Sequence, residues 1–185
     1  MAAGRRLLEE EGPEALTMRR LAERLGIRAP SLYKHLPDKA ALEAAIIATG
    51  FEEAAAAFEA AVEGAAEALP ALMAAYRRFA LAHPHLYRLM NNGPLPREHL
   101  PPGLEDRTAA PVLRAAGSRA RARAVWAFAH GMVMLELDHR FPPDADLDRA
   151  WQAGIAASNR PDRRLGMVRP VVRGSDGRDG GARCD

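Results

Sequence analysis

The stretch LTMRRLAERLGIRAPSLYKHLPDKAAL, residues 16–42, predicts two short helices joined by a glycine turn and followed by the start of a third helix. Thr17 is a favourable N-cap, because its hydroxyl can accept a hydrogen bond from a free amide of the first turn. Gly26 ends the first helix, since glycine readily adopts the left-handed conformation of a helix C-terminus. Pro30 falls in the first turn of the second helix, where its missing amide costs little. The second helix is therefore predicted over residues 29–35.

This second helix combines an apolar stem with polar side chains. Leu32 and Leu36 are placed for packing, and Ile27 is expected to pack into the corner of the turn. The remaining positions carry Ser31, Tyr33, Lys34 and His35. A helix-turn-helix has this pattern, because its first helix braces the second, which enters the major groove of DNA.

Charge is distributed unevenly along the chain. Residues 17–39 contain six basic and two acidic residues, a net charge of +4, whereas residues 40–76 contain six glutamates and no lysine or arginine. A basic end on an acidic body is typical of a DNA-binding protein. A solvated helical hairpin is the alternative that charge and helix caps alone leave open.

The same stretch resembles the N-terminal helix-turn-helix of the TetR family of bacterial transcriptional regulators. The residues that carry the resemblance are Thr17, Leu21-Ala22, Leu25-Gly26-Ile27, Ser31-Leu32-Tyr33, His35-Leu36, Lys39 and Leu42. The resemblance runs without a gap and implies that the head binds DNA.

The resemblance also implies which side chains contact DNA. Those expected to face bases or phosphates from the second helix are Arg28, Ala29, Ser31, Tyr33, Lys34 and His35. Those expected to contact the DNA backbone are Thr17, Arg19 and Lys39. Phosphate contacts would set the register and the salt dependence of binding, while base contacts would set its sequence preference.

Length and composition exclude several classes of protein. The chain of 185 residues can form one or two domains with a hydrophobic core, and its formal net charge of +2 is not that of a general polycation. The single cysteine, Cys184, excludes an internal disulfide and a cysteine-based metal site. No apolar run of membrane-spanning length and no signal peptide occurs, so we expect a cytoplasmic protein with no membrane partner.

Helical periodicity without any strand pattern predicts an all-α protein of about nine helices. We expect a three-helix DNA-binding head over residues 1–45, a helical effector-binding and dimerisation domain over 46–157, and a disordered basic tail over 158–185.

The first helix is predicted over residues 1–12. TetR-like proteins usually begin it a turn or more earlier. Two alternatives follow from this: the natural start lies further upstream, or some phosphate contacts and packing of the first helix are missing. The later helices are predicted over residues 38–64, from 70, from 84, over 104–116, over 118–140 and from 144 or 146 to 157.

The segment AVWAFAHGMVMLEL, residues 124–137, is apolar nearly all the way round and predicts a helix buried on several faces. Small residues recur along it at spacings of three and four, which permits close approach of another helix. A second copy of the chain would cover this surface beside the last helix, and two heads about 34–36 Å apart would then read both halves of a palindrome. The predicted dimer interface consists of Ala120, Ala124, Ala127, Gly131, Leu147, Trp151 and Ile155.

An effector pocket is predicted from large and flexible apolar side chains in the body. Its candidate residues are Met73, Tyr76, Phe79, Met90, Trp126, Phe128, His130 and Met132. Trp126, His130 and Gly131 also resemble a motif in the C-terminal regulatory domain of one TetR subgroup, which implies a ligand cavity without naming the ligand. For each of these residues an ordinary core position is the alternative, and for His130 that of a hydrogen-bonded core histidine.

Catalysis is not supported by the sequence. Glu136 and His139 have the Glu-x-x-His spacing of metal sites in helical bundles, but such sites need a second motif and further glutamates. No P-loop, G-x-S-x-G or dinucleotide-binding motif occurs. We therefore expect no enzymatic activity, no cofactor and no metal.

The sequence predicts a homodimeric repressor that binds a palindromic operator in double-stranded DNA and is released by an unknown small, largely apolar effector. An effector-dependent activator is one alternative. The other is a helical ligand-binding or interaction module that no longer binds DNA because its first helix is truncated.

Overall fold

A computed structural model describes residues 1–158 of the chain. The predicted tail beyond Ser158, with Cys184, lies outside the described residues. Within residues 1–158 there are nine α-helices, two short 3-10 helices and no strand, which confirms the all-helical prediction for this part of the chain. The helices are α1 (Ala2–Glu11), α2 (Met18–Leu25), α3 (Ala29–Tyr33), α4 (Lys39–Val62), α5 (Ala68–Ala82), α6 (Pro84–Asn91), α7 (Leu104–Ala116), α8 (Arg119–Leu137) and α9 (Leu147–Ser158).

A first apolar cluster, here called the head core, is formed mainly by α1, α2, α3 and the start of α4. Its larger buried residues are Leu7, Leu8, Leu16, Met18, Leu21, Leu32, Leu42, Ile46 and Leu86. The presence of Leu86 means that α6, a helix of the body, completes the core of the head.

A second apolar cluster, here called the body core, lies among α4, α5, α6, α8 and α9. Its larger buried residues are Phe58, Leu69, Leu72, Met73, Tyr76, Tyr87, Val125, Val133 and Trp151. Aromatic rings meet at its centre, where Phe58 and Tyr76 stack with their ring centroids 5.6 Å apart. Burial of this apolar surface is the main force that holds the body together.

Helices α4 and α6 each belong to both cores. In α4, Ile46 is part of the head core and Phe58 part of the body core. The two helices approach closely at Gly50, where an added Cβ would lie 2.7 Å from the Met90 sulfur. The head is thereby joined to the body through packed helices, and no described linker separates the two.

Two helices end earlier than the sequence predicts. The predicted second helix, residues 29–35, ends at Tyr33, although the Leu36 amide still donates to the Leu32 carbonyl at 3.0 Å. Helix α8 ends at Leu137 because His139 adopts a left-handed conformation with φ 51°, which turns the chain away. None of the described helices is both long and apolar enough to cross a membrane.

Candidate DNA-binding head and effector site

Local hydrogen bonds fix the angle between α2 and α3. The Thr17 hydroxyl accepts from the Arg20 amide at 3.2 Å and so caps α2, as the sequence predicts. Gly26 ends α2 with φ 65°, and the Ile27 amide donates to the Ala22 carbonyl at 3.1 Å. The chain therefore leaves α2 in one defined direction and enters α3 without a flexible connection.

The third helix presents its polar side chains to solvent. Leu32 is only 5% exposed and anchors α3 to the head core, whereas Tyr33 is 49% exposed. The other residues with predicted DNA contacts are exposed (Arg19, Arg28, Ser31, Lys34, His35 and Lys39) or partly exposed (Thr17 and Ala29). The apolar side of α3 thus packs on the head core, and its polar side is accessible to a partner.

The corner of the turn is less buried than predicted. Ile27 is 42% exposed and Leu25 is 45% exposed, so the expectation that Ile27 packs into the corner was wrong. The physical reason is that no described element packs over the turn, so both side chains stay at the surface.

Four basic residues of the helix-turn-helix differ in whether a carboxylate pairs with them. Arg20 and Arg24 of α2 form ion pairs with Glu11 and Glu10 of α1, so they brace the head internally. Arg28 and Lys34 have no carboxylate partner among the described ion pairs. The positive charge of Arg28 and Lys34, at the two ends of α3, is therefore available to a polyanion.

A shallow groove of about 510 Å³ lies between α1 and the helix-turn-helix. Its lining includes Gly4, Leu21, Leu25, Leu32 and His35. His35 therefore stands at the edge of this groove as well as next to the exposed side chains of α3.

The residues predicted to form the effector pocket come together around the body core. Met73 and Tyr76 are 2% and 8% exposed and belong to that core, and Phe79, Met90, Phe128 and Met132 pack against it. Trp126 differs from the others, since its side chain is 52% exposed. The residues of α8 that face the core are Ala122, Val125, Ala129 and Val133. Trp126 lies beside this buried face.

A chain of polar groups passes through this apolar region. The hydroxyls of Tyr76 and Tyr87 lie 2.8 Å apart, and the Tyr87 hydroxyl lies 2.7 Å from Nδ1 of His130. Burial raises the pKa of Tyr76 to about 12 and also raises the pKa of Tyr87. Burial lowers the pKa of His130, so at neutral pH the chain consists of two protonated phenols and a neutral imidazole.

Tyr87 was not among the residues that the sequence predicted for the effector site. It looked like one more packing residue of a short helix, and its partner His130 lies 43 positions later in the chain. No local sequence pattern links the two residues. Only the packing of α6 against α8 brings them together.

Within one chain, helix α8 buries one face, and the face left uncovered is the one that the sequence assigns to a second copy. The buried residues are Ala122, Val125, Ala129 and Val133. The opposite face carries the predicted contact residues Ala120, Ala124 and Ala127, which are exposed, and Gly131, which is partly exposed. A single chain has no described helix to cover this second face.

Trp151 was wrongly predicted to face a second copy of the chain. Its side chain is 4% exposed and lies in the body core, with the Phe128 ring at a centroid distance of 5.5 Å. Its indole N–H donates to a Glu136 oxygen at 2.5 Å. Burial within the chain removes more apolar surface of this large ring from water than a surface position would. Leu147 and Ile155, which were predicted for the same interface, remain partly exposed.

Glu136 holds three helices together. Its carboxylate accepts from the indole of Trp151 on α9 and pairs with Arg77 on α5 at 2.9 Å. Arg77 also pairs with Asp148 on α9 at 2.5 Å, and its guanidinium carbon lies 5.6 Å from the centre of the Trp151 ring. Both carboxylate oxygens of Glu136 are therefore engaged by donors of α5 and α9.

Comparison with known proteins matches both parts of the chain. Residues 1–46 match the family described as bacterial regulatory proteins of the tetR family, and residues 69–158 match the tetracyclin repressor-like C-terminal domain. The chain is 52% identical over 42 residues, 23% of its length, to the class G tetracycline repressor protein of Vibrio anguillarum. That match spans only 20% of the repressor.

Solved structures of similar fold extend over most of the chain. A TetR variant from Acinetobacter baumannii AYE, solved in complex with minocycline, has a TM-score of 0.62 and 25% identity, covering 85% of this chain and 90% of that one. A protein of unknown function from Rhodococcus sp. RHA1 has a TM-score of 0.69 and 25% identity, covering 85% and 89%. The likeness therefore includes the body as well as the head.

Proposed function

The chain belongs to the TetR family of bacterial regulatory proteins, and we propose that it is a homodimeric repressor that binds a palindromic operator and is released by a small, largely apolar effector. Its family makes it a DNA-binding transcriptional regulator and not an enzyme. The proposal adds the direction of regulation, the symmetry of the operator and the class of effector.

The observation that carries the proposal is the capped helix-turn-helix with an exposed polar helix. Leu32 fixes α3 to the head core, while Tyr33 and its polar neighbours remain accessible. Arg28 and Lys34 place positive charge next to them, which favours phosphate contacts on either side of a major groove. We assign base or phosphate contacts to Arg28, Ala29, Ser31, Tyr33, Lys34 and His35, and backbone contacts to Thr17, Arg19 and Lys39.

The dimer is supported by the uncovered face of α8. Exposed alanines at 120, 124 and 127 leave a flat strip on which another helix can lie closely, and the neighbouring Leu135 is 42% exposed. A second copy that presents the same face would bury this strip in an isologous contact. Two heads in one particle would then bind the two half-sites of a palindrome.

The effector site is supported by the mixture of apolar walls and convergent polar groups around Tyr76 and His130. The solved A. baumannii protein, which has a similar fold, holds minocycline. Tyr87 of this site follows directly after Leu86 of the head core, so a shift of α6 would also move a residue of the head core. Coupling of effector to DNA would then proceed as a rigid-body change in the relative position of the heads.

The proposal is tested by selecting DNA with the full chain from a random duplex library. Wild-type protein should enrich one palindromic sequence, and the Tyr33→Ala variant should not, because it lacks the exposed ring of α3. Arg149→Ala, which removes an exposed basic residue of α9, is the matched control and should enrich the same palindrome. Enrichment of no sequence by the wild type, or of the same palindrome by Tyr33→Ala, would contradict the proposal.

Repression is separated from activation by a reporter gene placed behind the selected palindrome. A repressor lowers expression when the protein is present, and an activator raises it. Increased expression in the presence of the protein would leave DNA binding intact and overturn the repressor assignment.

A further inference from the structure

The polar chain formed by Tyr76, Tyr87 and His130 has a defined direction. Each phenol has one hydrogen to donate, and a neutral imidazole has one. The structure leaves no buried side-chain nitrogen or oxygen without a partner among the described residues. The positions of the hydrogens can therefore be worked out by requiring that each one has an acceptor.

Three arrangements are possible along the two short contacts, because each can run in either direction but Tyr87 cannot donate twice. If Nδ1 of His130 carried the hydrogen, it would donate to Tyr87. Either the Tyr87 hydrogen or, if Tyr87 donated to Tyr76, the Tyr76 hydrogen would then have no acceptor among the described hydrogen bonds. If Tyr76 donates to Tyr87 and Tyr87 donates to Nδ1, every hydrogen is used.

The arrangement that uses every hydrogen places the imidazole hydrogen on Nε2 of His130. No hydrogen bond of the described residues involves Nε2, whereas Nδ1 is held by Tyr87 at 2.7 Å. His130 is partly exposed, and no described side chain holds Nε2. The buried tyrosines thus fix one tautomer and keep a hydrogen-bond donor available at the edge of the body.

An exposed aromatic surface stands next to this donor. Trp126 lies one turn before His130 on α8, with ring centroids 6.3 Å apart and the planes tilted by 36°. More than half of the Trp126 side chain is accessible in the chain, which is unusual for so large an apolar ring. A flat apolar surface beside a single fixed donor suits a flat molecule with one hydrogen-bond acceptor.

We propose that His130 donates from Nε2 to an acceptor oxygen of a planar aromatic effector that stacks on Trp126. Tyr87 acts as a positioning residue that holds the imidazole in the donating tautomer. This inference rests on the proposed effector-regulated function and specifies the chemical class of the effector.

The inference is tested with two matched probes, 2-acetylnaphthalene and 2-ethylnaphthalene, titrated into the full chain by calorimetry. The two molecules share the ring system, and only the first has an acceptor oxygen. Wild-type protein should bind the acetyl compound about tenfold more tightly, the ratio expected for one well-formed hydrogen bond. His130→Leu should lose this preference, and His130→Gln should keep most of it because its amide nitrogen can reach the position of Nε2.

A second measurement tests the tautomer directly. Long-range proton–nitrogen spectra of the histidine rings, with His130 assigned by the signals lost in His130→Gln, should show the hydrogen on Nε2. Tyr87→Phe should weaken this preference, while circular dichroism confirms that the variant remains helical. A hydrogen on Nδ1 in the wild type would overturn the inference.

Equal affinity of the wild type for the two probes, or no saturable binding of either, would also overturn it. Operator selection by the wild type reports separately on the regulator. A recovered palindrome together with equal probe affinities would refute the effector class and leave the proposed repressor standing.

Discussion

At the scale of single residues, Thr17 has two assignments that can be separated. Its hydroxyl caps α2, and the family resemblance also places it against the DNA backbone. We expect Thr17→Ala to lower the free energy of unfolding by about 1 kcal/mol, because the cap is lost. Thr17→Asp should keep the cap but bring a negative charge toward phosphate, so operator affinity should fall although stability does not.

Chemical denaturation and operator titration measure the two effects independently. Thr17→Ser is the control, since it keeps both the cap and the neutral hydroxyl. Unchanged operator affinity in Thr17→Asp would show that Thr17 caps α2 and does not contact DNA.

His130 provides a pH-dependent contribution to stability. Burial lowers its pKa in the folded chain below the ordinary value of about 6.5, so the unfolded chain takes up the proton more readily in mildly acidic solution. The contribution is fully present above the unfolded pKa and is lost as the pH falls toward the folded one. We expect the wild type to lose more stability than His130→Gln between about pH 7 and pH 5 in matched thermal denaturation series. Parallel pH profiles would contradict the assignment.

At the scale of elements, the position of α9 depends on the ion pair of Glu136 with Arg77. The Glu136 side chain is 6% exposed, so replacing it leaves Arg77 and the Trp151 indole without a full charge partner in a poorly solvated site. We expect Glu136→Gln to cost about 2 kcal/mol of stability, measured by chemical denaturation.

Asp148 offers a matched control for that experiment. It pairs with the same arginine, but its side chain is 80% exposed, and exposed pairs contribute little. Asp148→Asn should therefore change stability by no more than about 0.5 kcal/mol. Equal losses in the two variants would mean that burial of Glu136 is not what makes its contact important.

At the scale of the whole molecule, the proposed dimer can be broken without unfolding the chain. Ala127→Glu places a carboxylate in the exposed strip of α8, where a second copy would have to bury it. We expect the dimer dissociation constant to rise about tenfold or more in analytical ultracentrifugation, with helicity unchanged. Ala74→Glu, on an exposed position of α5, is the control and should leave the dimer intact. If Ala127→Glu sediments as the wild type does, the strip is not the interface.

Much of the head could be predicted from sequence because its geometry is set locally. The cap at Thr17, the left-handed Gly26 and the proline in the first turn of α3 each act on neighbours within a few positions. The corner at Ile27 was predicted wrongly, since burial depends on what lies above a residue and not on its apolar character. The body was harder: its residues indicated an apolar helix around Trp126 but not which face of that helix is covered.

The sequence by itself therefore determined the helical class, the helix-turn-helix and the membership of its head in a DNA-binding family. Caps, turns and periodicity determine the first two features over short distances along the chain, and the third rests on the resemblance of residues 16–42 to the TetR head. Only the tertiary structure decided that Tyr87 meets His130, that Glu9 of α1 accepts from the Leu86 amide at the start of α6, and that Trp151 is a core residue. These contacts join residues 43 and 77 positions apart in the first two cases, and depend on how whole helices pack, which no local pattern encodes.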